Sequence, residues 1–196
     1  MHLASIAILL LKIITTRSAQ GISFKSQVLY AVVFAARYMD LFTHFVSIYN
    51  TLMKLIFIGT SLLILYLMKV QFKTSWDEKL DTFRIEYLIL PCAVLSLLFH
   101  YQSRFNLMEI LWAFSIYLEA VAIVPQLFQL TRTGEAETIT SHYLFALGGY
   151  RALYLLNWTY RYFSERHFND WIAVIAGLIQ TALYADFFYV YVTKYF

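Results

Sequence analysis

Long apolar runs separated by short polar breaks fill this chain from its first residues. A helix that crosses a bilayer needs about 20 residues, with a lower limit near 17. Seven stretches meet or approach that length: Met1–Thr16, Lys25–Tyr49, Thr51–Val70, Phe83–Phe99, Glu109–Leu130, Ser141–Phe163 and Asp170–Lys194. They are called spans 1 to 7. Span 1 is short, as if the chain began inside it. The longest connection is Gln71–Thr82, which carries the polar run Trp76–Asp81. Tyr49-Asn50 is expected to be a tight turn between spans 2 and 3. Pro125 lacks a backbone N–H and crowds the preceding turn, so Pro125-Gln126 should kink span 5.

Composition supports membrane helices. Hydrophobic residues make up 61% of the 196 and charged residues only 14%. A soluble domain carries about 45–50% and about 25% respectively. Lipid is the natural solvent for the surplus, and 19% aromatic residues suit interfacial belts. Two prolines and six glycines leave little room for linkers, so a single domain over 1–196 is expected. The N-terminus has neither a basic leader nor a small-residue cleavage site and is expected to be a span rather than a removable signal. Cys92, the single cysteine, rules out a disulfide framework and a cysteine metal site. The five histidines are dispersed, so neither a metal nor another cofactor is expected. A scattered net charge of +3 does not suit nucleic acid. No nucleophile–base motif is present, and an enzyme is not expected.

Lys and Arg counts set the orientation. One face of a seven-span chain holds nine of them, including Lys12, Arg17, Lys25, Lys69, Lys73 and Arg132. The other holds four: Lys54, Arg104, Arg161 and Arg166. The first face is therefore expected to be cytosolic, with the N-terminus lumenal and the C-terminus cytosolic. An internal match adds organisation. Ser26-Gln27-Val28-Leu29-Tyr30-Ala31 in span 2 is similar to Ser141-His142-Tyr143-Leu144-Phe145-Ala146 in span 6, and Arg37-Tyr38 answers to Tyr150-Arg151. This suggests three helices (about 1–70), an inverting fourth (about 83–99) and three more (about 109–194). Such repeats place a binding site at their interface near mid-membrane.

Charges inside spans are expensive and face a cavity or a partner. Span 2 has Arg37 and Asp40, span 5 has Glu109 and Glu119, span 6 has Arg151 and Arg161, and span 7 has Asp186. At about 100° per residue, Tyr150, Tyr154, Asn157 and Arg161 lie within roughly 60° of one another. Arg151 and Trp158 flank this polar stripe. Arg37, Asp40 and His44 share a face of span 2; Glu109, Trp112 and Glu119 share one of span 5. The plainer alternative is that these charges only pair to hold helices together. The span 6 stripe exceeds what one helix contact needs. Because guanidinium forks bind carboxylates in two-pronged fashion, several arginines around one cavity point to an anionic ligand with more than one carboxylate. His2, alone at the start of span 1, reads by itself as a polar helix end.

Several runs resemble the ER lumen protein-retaining receptor (KDEL receptor) family over nearly the whole chain. They include Lys25-Ser26-Gln27-Val28-Leu29, Ala36-Arg37-Tyr38 with Asp40-Leu41-Phe42, Asp81-Thr82-Phe83-Arg84, and Glu109-Ile110-Leu111-Trp112. Others are Ser115-Ile116-Tyr117-Leu118-Glu119, Val124-Pro125-Gln126-Leu127-Phe128, Gly134-Glu135-Ala136-Glu137-Thr138, Tyr150-Arg151-Ala152-Leu153-Tyr154 and Asp186-Phe187-Phe188-Tyr189. The resemblance implies an all-α membrane fold of seven transmembrane helices. They form two three-helix bundles joined by an inverting helix, as in SWEET and PQ-loop proteins. It implies a Golgi-to-ER sorting receptor for soluble ER residents ending in Lys-Asp-Glu-Leu or His-Asp-Glu-Leu, signals that are read by a receptor. By resemblance, Arg37 takes the terminal carboxylate with Tyr150 and Tyr154, and Arg161 takes an acidic side chain of the signal. Glu109, Trp112 and Asp170 greet its basic first residue. Tyr38, Asp40, Arg151, Asn157 and Trp158 complete the cavity, and Asp186 is tied to transport. His2, with Glu119 and Tyr150, becomes the proton sensor. An unperturbed imidazole titrates near about 6.5, so it gains protons in an acidic Golgi and loses them in the ER.

The resemblance also implies a COPI coat partner, engaged by tail lysines. The sequence starts one residue before His2 and stops at Tyr195-Phe196, so the family's arginine before the histidine and its tail lysines have no counterpart here. His44 replaces a small hydroxyl residue, and the loop around His100–Asn106 is longer by about two residues. The chief rival reading is a SWEET-like solute transporter. A neutral sugar would not need Arg37, Arg151 and Arg161 together with two intramembrane glutamates, although a cationic or anionic amino acid could use them.

Overall fold

A computed structural model describes residues 2–43, 45–76, 78–101, 106–133, 138–165 and 170–195; within them, the side chains of 42, 133, 138–141, 186–188 and 190–195 are not described. The described residues are helical and contain no strand. The helices are α1 (His2–Thr16), α2 (Phe24–Arg37), α3 (Ile48–Tyr66), α4 (Glu86–Leu98), α5 (Leu107–Val121), α6 (Val124–Thr133), α7 (Thr138–Ser164) and α8 (Trp171–Tyr195). α5 and α6 are the two pieces of span 5, so seven helical rods remain.

Local chemistry explains where the rods start and stop. Ser23, Ser47 and Asn106 cap α2, α3 and α5, each accepting a backbone N–H of the first turn. The break in span 5 is where its proline demanded one. α5 ends at Val121, four residues before Pro125, and Pro125 sits in the first turn of α6, where a missing N–H is harmless. Span 2 differs from expectation. α2 stops at Arg37, and Met39–Phe42 forms a 3-10 turn. Asp40 therefore does not continue a face of α2 with Arg37, and His44 lies outside the described residues. Tyr49-Asn50 is not a turn; both residues are in the first turn of α3, and the connection precedes Ser47. At its far end α3 widens into a π-turn, Leu67–Gln71.

The packing is paired. α3 touches α1 and α2, and α8 touches α5 and α7. The two triplets meet through α1 against α7 and α2 against α5, while α4 packs on α5. Leu9, Ile13, Leu29, Val33, Leu118, Leu144 and Leu147 fill the shared core. Other apolar side chains point outward, among them Leu62, Leu97, Leu98, Leu156 and Phe163. Soluble monomers rarely expose apolar surface on this scale. Ile48–Gln71 and Leu107–Arg132 are long and apolar enough to cross a membrane by length and composition. In the most apolar window of the first, only 28% of residues are buried, so its greasy surface faces out. This is consistent with a membrane protein.

One end of the bundle is tied by a buried clasp. Asp81 is 1% exposed and accepts from Ser23 Oγ at 2.9 Å and from the Lys25 N–H at 3.0 Å. Gln126 accepts the Ser23 N–H at 2.8 Å and donates through Nε2 to the Gly21 carbonyl at 2.8 Å; its own N–H donates to Ser26 Oγ at 3.0 Å. Two distant segments, with Ser23 itself, thus satisfy the unpaired N–H groups that begin α2. Asp81→Ala and Gln126→Ala are each expected to cost about 1–3 kcal/mol, the penalty for stranding buried donors. Because both partners meet at Ser23, the double variant should lose less than the sum of the two. Unfolding of the purified protein in detergent checks both expectations.

Candidate functional site

The interior site is built around Glu119. Its carboxylate sits on α5, 1% exposed, where Leu118 and Ala120 face apolar neighbours. A charge there is tolerable only with partners, and two guanidinium groups supply them. Arg37 Nη2, from the last residue of α2, and Arg151 Nη2, from α7, each lie 2.5 Å from Glu119 Oε2. The Tyr150 hydroxyl donates to Glu119 Oε1. Arg37 is braced further. Its Nε donates to Ser115 Oγ at 3.1 Å, Ser115 Oγ donates to the Trp112 carbonyl at 2.7 Å, and the guanidinium lies 5.8 Å from the centroid of the Trp112 ring. Arg151 lies over the rings of Tyr150 and Tyr154, at 5.1 and 5.8 Å.

His2 joins this cluster from α1. Its imidazole stacks on the Tyr150 ring, centroids 4.5 Å apart and planes 7° apart, with Phe34 and Phe57 alongside at 5.5 and 5.6 Å. The ring that carries the Glu119 hydrogen bond is therefore the ring against which His2 packs. An aromatic row, Tyr150, Tyr154 and Trp158, continues up α7 edge-to-face and tilted, with neighbouring centroids 6.0 and 5.6 Å apart. Gly177 of α8 lies directly against the Trp158 ring, leaving no room for a Cβ. Tyr38 stacks on Phe34 at 5.9 Å at the other side of the aromatic wall.

The remaining residues singled out in the sequence lie apart from this centre. Arg161 is at the end of α7, partly exposed, and pairs with Glu165 at 2.7 Å and Asp170 at 2.8 Å. Asp40 pairs with Lys54 Nζ at 2.6 Å, not with Arg37. Glu109 is half-buried in the first turn of α5, and Asn157 is exposed on α7; neither makes a side-chain hydrogen bond among the described residues. Asp186 is on α8, but its side chain lies outside those described. Several contributors were not singled out. Ser115 orients Arg37, Lys54 holds Asp40, and Gln27 Nε2 donates to Tyr143 Oη at 3.1 Å beneath the site. A Ser four residues before Glu119, and thus on its face of α5, was the available signal for Ser115.

Two guanidinium groups share one carboxylate, so the centre carries an excess positive charge. Chemically, such a centre has the capacity to hold an anion, and aromatic rings wall it.

An apolar helical bundle with a charged interior is consistent with a polytopic membrane protein. Comparison with known proteins makes this specific. A model of the ER lumen protein retaining receptor family matches residues 18–161. The chain is 62% identical over 193 residues to the ER lumen protein-retaining receptor of Drosophila melanogaster, covering 98% of this chain and 90% of that protein. It is 61% identical to ER lumen protein-retaining receptor 2 of Gallus gallus and 58% identical to the receptor of Caenorhabditis briggsae, covering 98% of this chain in both and 90% and 89% of those proteins. The chain belongs to the ER lumen protein-retaining receptor family. Its relatives are named as receptors, a non-enzymatic family.

Removing the shared carboxylate strands one buried and one half-buried cation. Glu119→Gln should therefore destabilise the protein by about 3–5 kcal/mol. Adding Arg151→Gln should recover part of that loss, an expectation read from thermal unfolding of the single and double variants in the same detergent.

Proposed function

We propose that this protein is a pH-dependent receptor that binds the C-terminal Lys-Asp-Glu-Leu or His-Asp-Glu-Leu signal of escaped ER residents in the Golgi and releases them in the ER. The observation that carries this reading is the Glu119 centre. It holds more positive than negative charge, and its Tyr150 ring stacks on a histidine. The terminal carboxylate goes to Arg37, with Arg151, Tyr150 and Tyr154 around it. An acidic side chain of the signal goes to Arg161. That exchange is cheap, because Arg161's present partners are exposed and such pairs are worth only about 0–1 kcal/mol. Glu109, Trp112 and Asp170 form the mouth and meet a basic first residue, while Tyr38, Asp40, Asn157 and Trp158 line the walls. Asp186 serves transport.

His2 supplies the pH response. Protonation adds a positive charge beside the Tyr150–Glu119 pair, which favours an anionic ligand. By linkage the ligand favours the protonated form to the same degree. Affinity therefore rises as pH falls. The architecture in this reading is the SWEET and PQ-loop one: a single seven-helix membrane domain with two three-helix halves and an inverting helix. The paired contacts of α3 and α8 within their triplets support it. The clasp end faces the cytosol, the Arg161 end faces the lumen, and retrograde traffic engages a COPI coat on the cytosolic side.

Peptide binding to the purified protein at about pH 6 and about pH 7.4, either side of the ordinary imidazole value, tests the proposal. A peptide ending in Lys-Asp-Glu-Leu should bind tightly only at the lower pH, and amidating its C-terminus should abolish binding. Equal binding of the amidated peptide rejects Arg37 as the carboxylate site. His2→Ala should flatten the pH dependence, and a normal response in that variant removes His2 from the mechanism.

A further inference from the structure

At the clasp end, away from the Glu119 centre, a groove of about 580 Å³ opens between the end of α1 and the π-turn that closes α3. That volume is in the range of small-molecule and lipid headgroup sites. Ile14, Arg17, Leu67, Gln71 and Phe72 line it. The floor is apolar, and beside it Ile14 and Val70 are 53% and 62% exposed. The rim is cationic. Arg17 is exposed and makes no ion pair or hydrogen bond through its side chain among the described residues, and Lys73 stands in the next turn.

The backbone adds an independent observation. Arg17 has φ +50°, the left-handed region, at the residue after α1 ends. Glycine or asparagine ordinarily fills this position, because a Cβ is strained there. Nearby Gly21 adopts the same region, φ +76°. An arginine held in a strained conformation, without a protein partner, over an apolar groove has the pattern of a residue kept for its side chain. π-turns, too, are frequent at functional sites.

We infer that this groove is a binding site for one anionic phospholipid of the leaflet at the clasp end, its phosphate and acidic headgroup on Arg17 and an acyl chain along Ile14 and Leu67. The assignment rests on the membrane-spanning reading. A free soluble anion does not fit as well, since it would leave the exposed apolar floor uncovered. A bilayer covers that floor and supplies the anion in one molecule. The lysines of this end add general attraction to an anionic leaflet.

The test is native mass spectrometry of the full chain in detergent, supplemented with equal amounts of phosphatidylserine and phosphatidylcholine bearing the same acyl chains. One retained phosphatidylserine is expected, favoured about fivefold, the weight of a single basic residue at an anionic surface. Arg17→Gly removes the cation while suiting the backbone, so it should reduce phosphatidylserine to the phosphatidylcholine level without lowering thermal stability. Arg84→Gln, a cation of the same end outside the groove, should leave retention unchanged. Equal retention of the two lipids by the unaltered protein overturns the site. So does undiminished phosphatidylserine in Arg17→Gly, or an equal loss in Arg84→Gln, which marks a diffuse field instead.

Discussion

A single carboxylate shared between two guanidinium groups governs the interior of this protein. Glu119, Arg37 and Arg151 come from α5, α2 and α7, so the ion triad joins the two helix triplets at their meeting surface. In an apolar interior none of the three charges is stable alone. Their mutual need fixes where α2 must end, which face of α5 turns inward and how far α7 is rotated. Arginine is required here and lysine would not replace it. The planar fork lets Arg37 hold Glu119 with one nitrogen and Ser115 with another while its flat face lies against Trp112. Tyr150 extends the same centre to His2 on α1, so four helices are referred to one carboxylate.

Much of this was legible in the chain because lipid-facing helices leave a strong signal and buried charges a conspicuous one. The break before Pro125 followed from the missing N–H. Glu119, Arg37 and Arg151 stood out because charges are rare inside apolar runs. The errors share a cause. Asp40 was assigned a face with Arg37 by assuming that 3.6 residues per turn continued through Met39–Phe42, and no Gly or Pro marks the change to a tighter turn. The same assumption placed a turn at Tyr49-Asn50, although Ser47 was a serviceable cap one residue before α3 begins. Asp81 closes the polar run Trp76–Asp81, and nothing in that run marks it as buried. Its burial depends on Ser23 and Lys25, more than fifty residues earlier, and no local pattern reports such a partner. Lys54 as the partner of Asp40 was hidden for a similar reason.

The two ends of the bundle are held with very different strength, and this bears on how such a fold can move. At the clasp end, Asp81 and Gln126 bind Gly21, Ser23, Lys25 and Ser26 through buried hydrogen bonds, and Lys25 Nζ donates to the Phe83 carbonyl at 2.7 Å. Opening it strands several donors at once, each costing about 1–3 kcal/mol if left unmade. α7 runs from this end, where Tyr143 meets Gln27, to the other, where Arg161 meets Glu165 and Asp170. Those pairs are partly exposed, and water replaces each partner at little loss. From the Arg161 end inward, labile contacts come first, then the aromatic row of Trp158, Tyr154 and Tyr150, and finally the Glu119 triad. The path becomes harder to rearrange with depth and ends against the clasp. Under the proposed receptor function, one yielding end and one tied end suit capture and return of a ligand from the same side better than passage through.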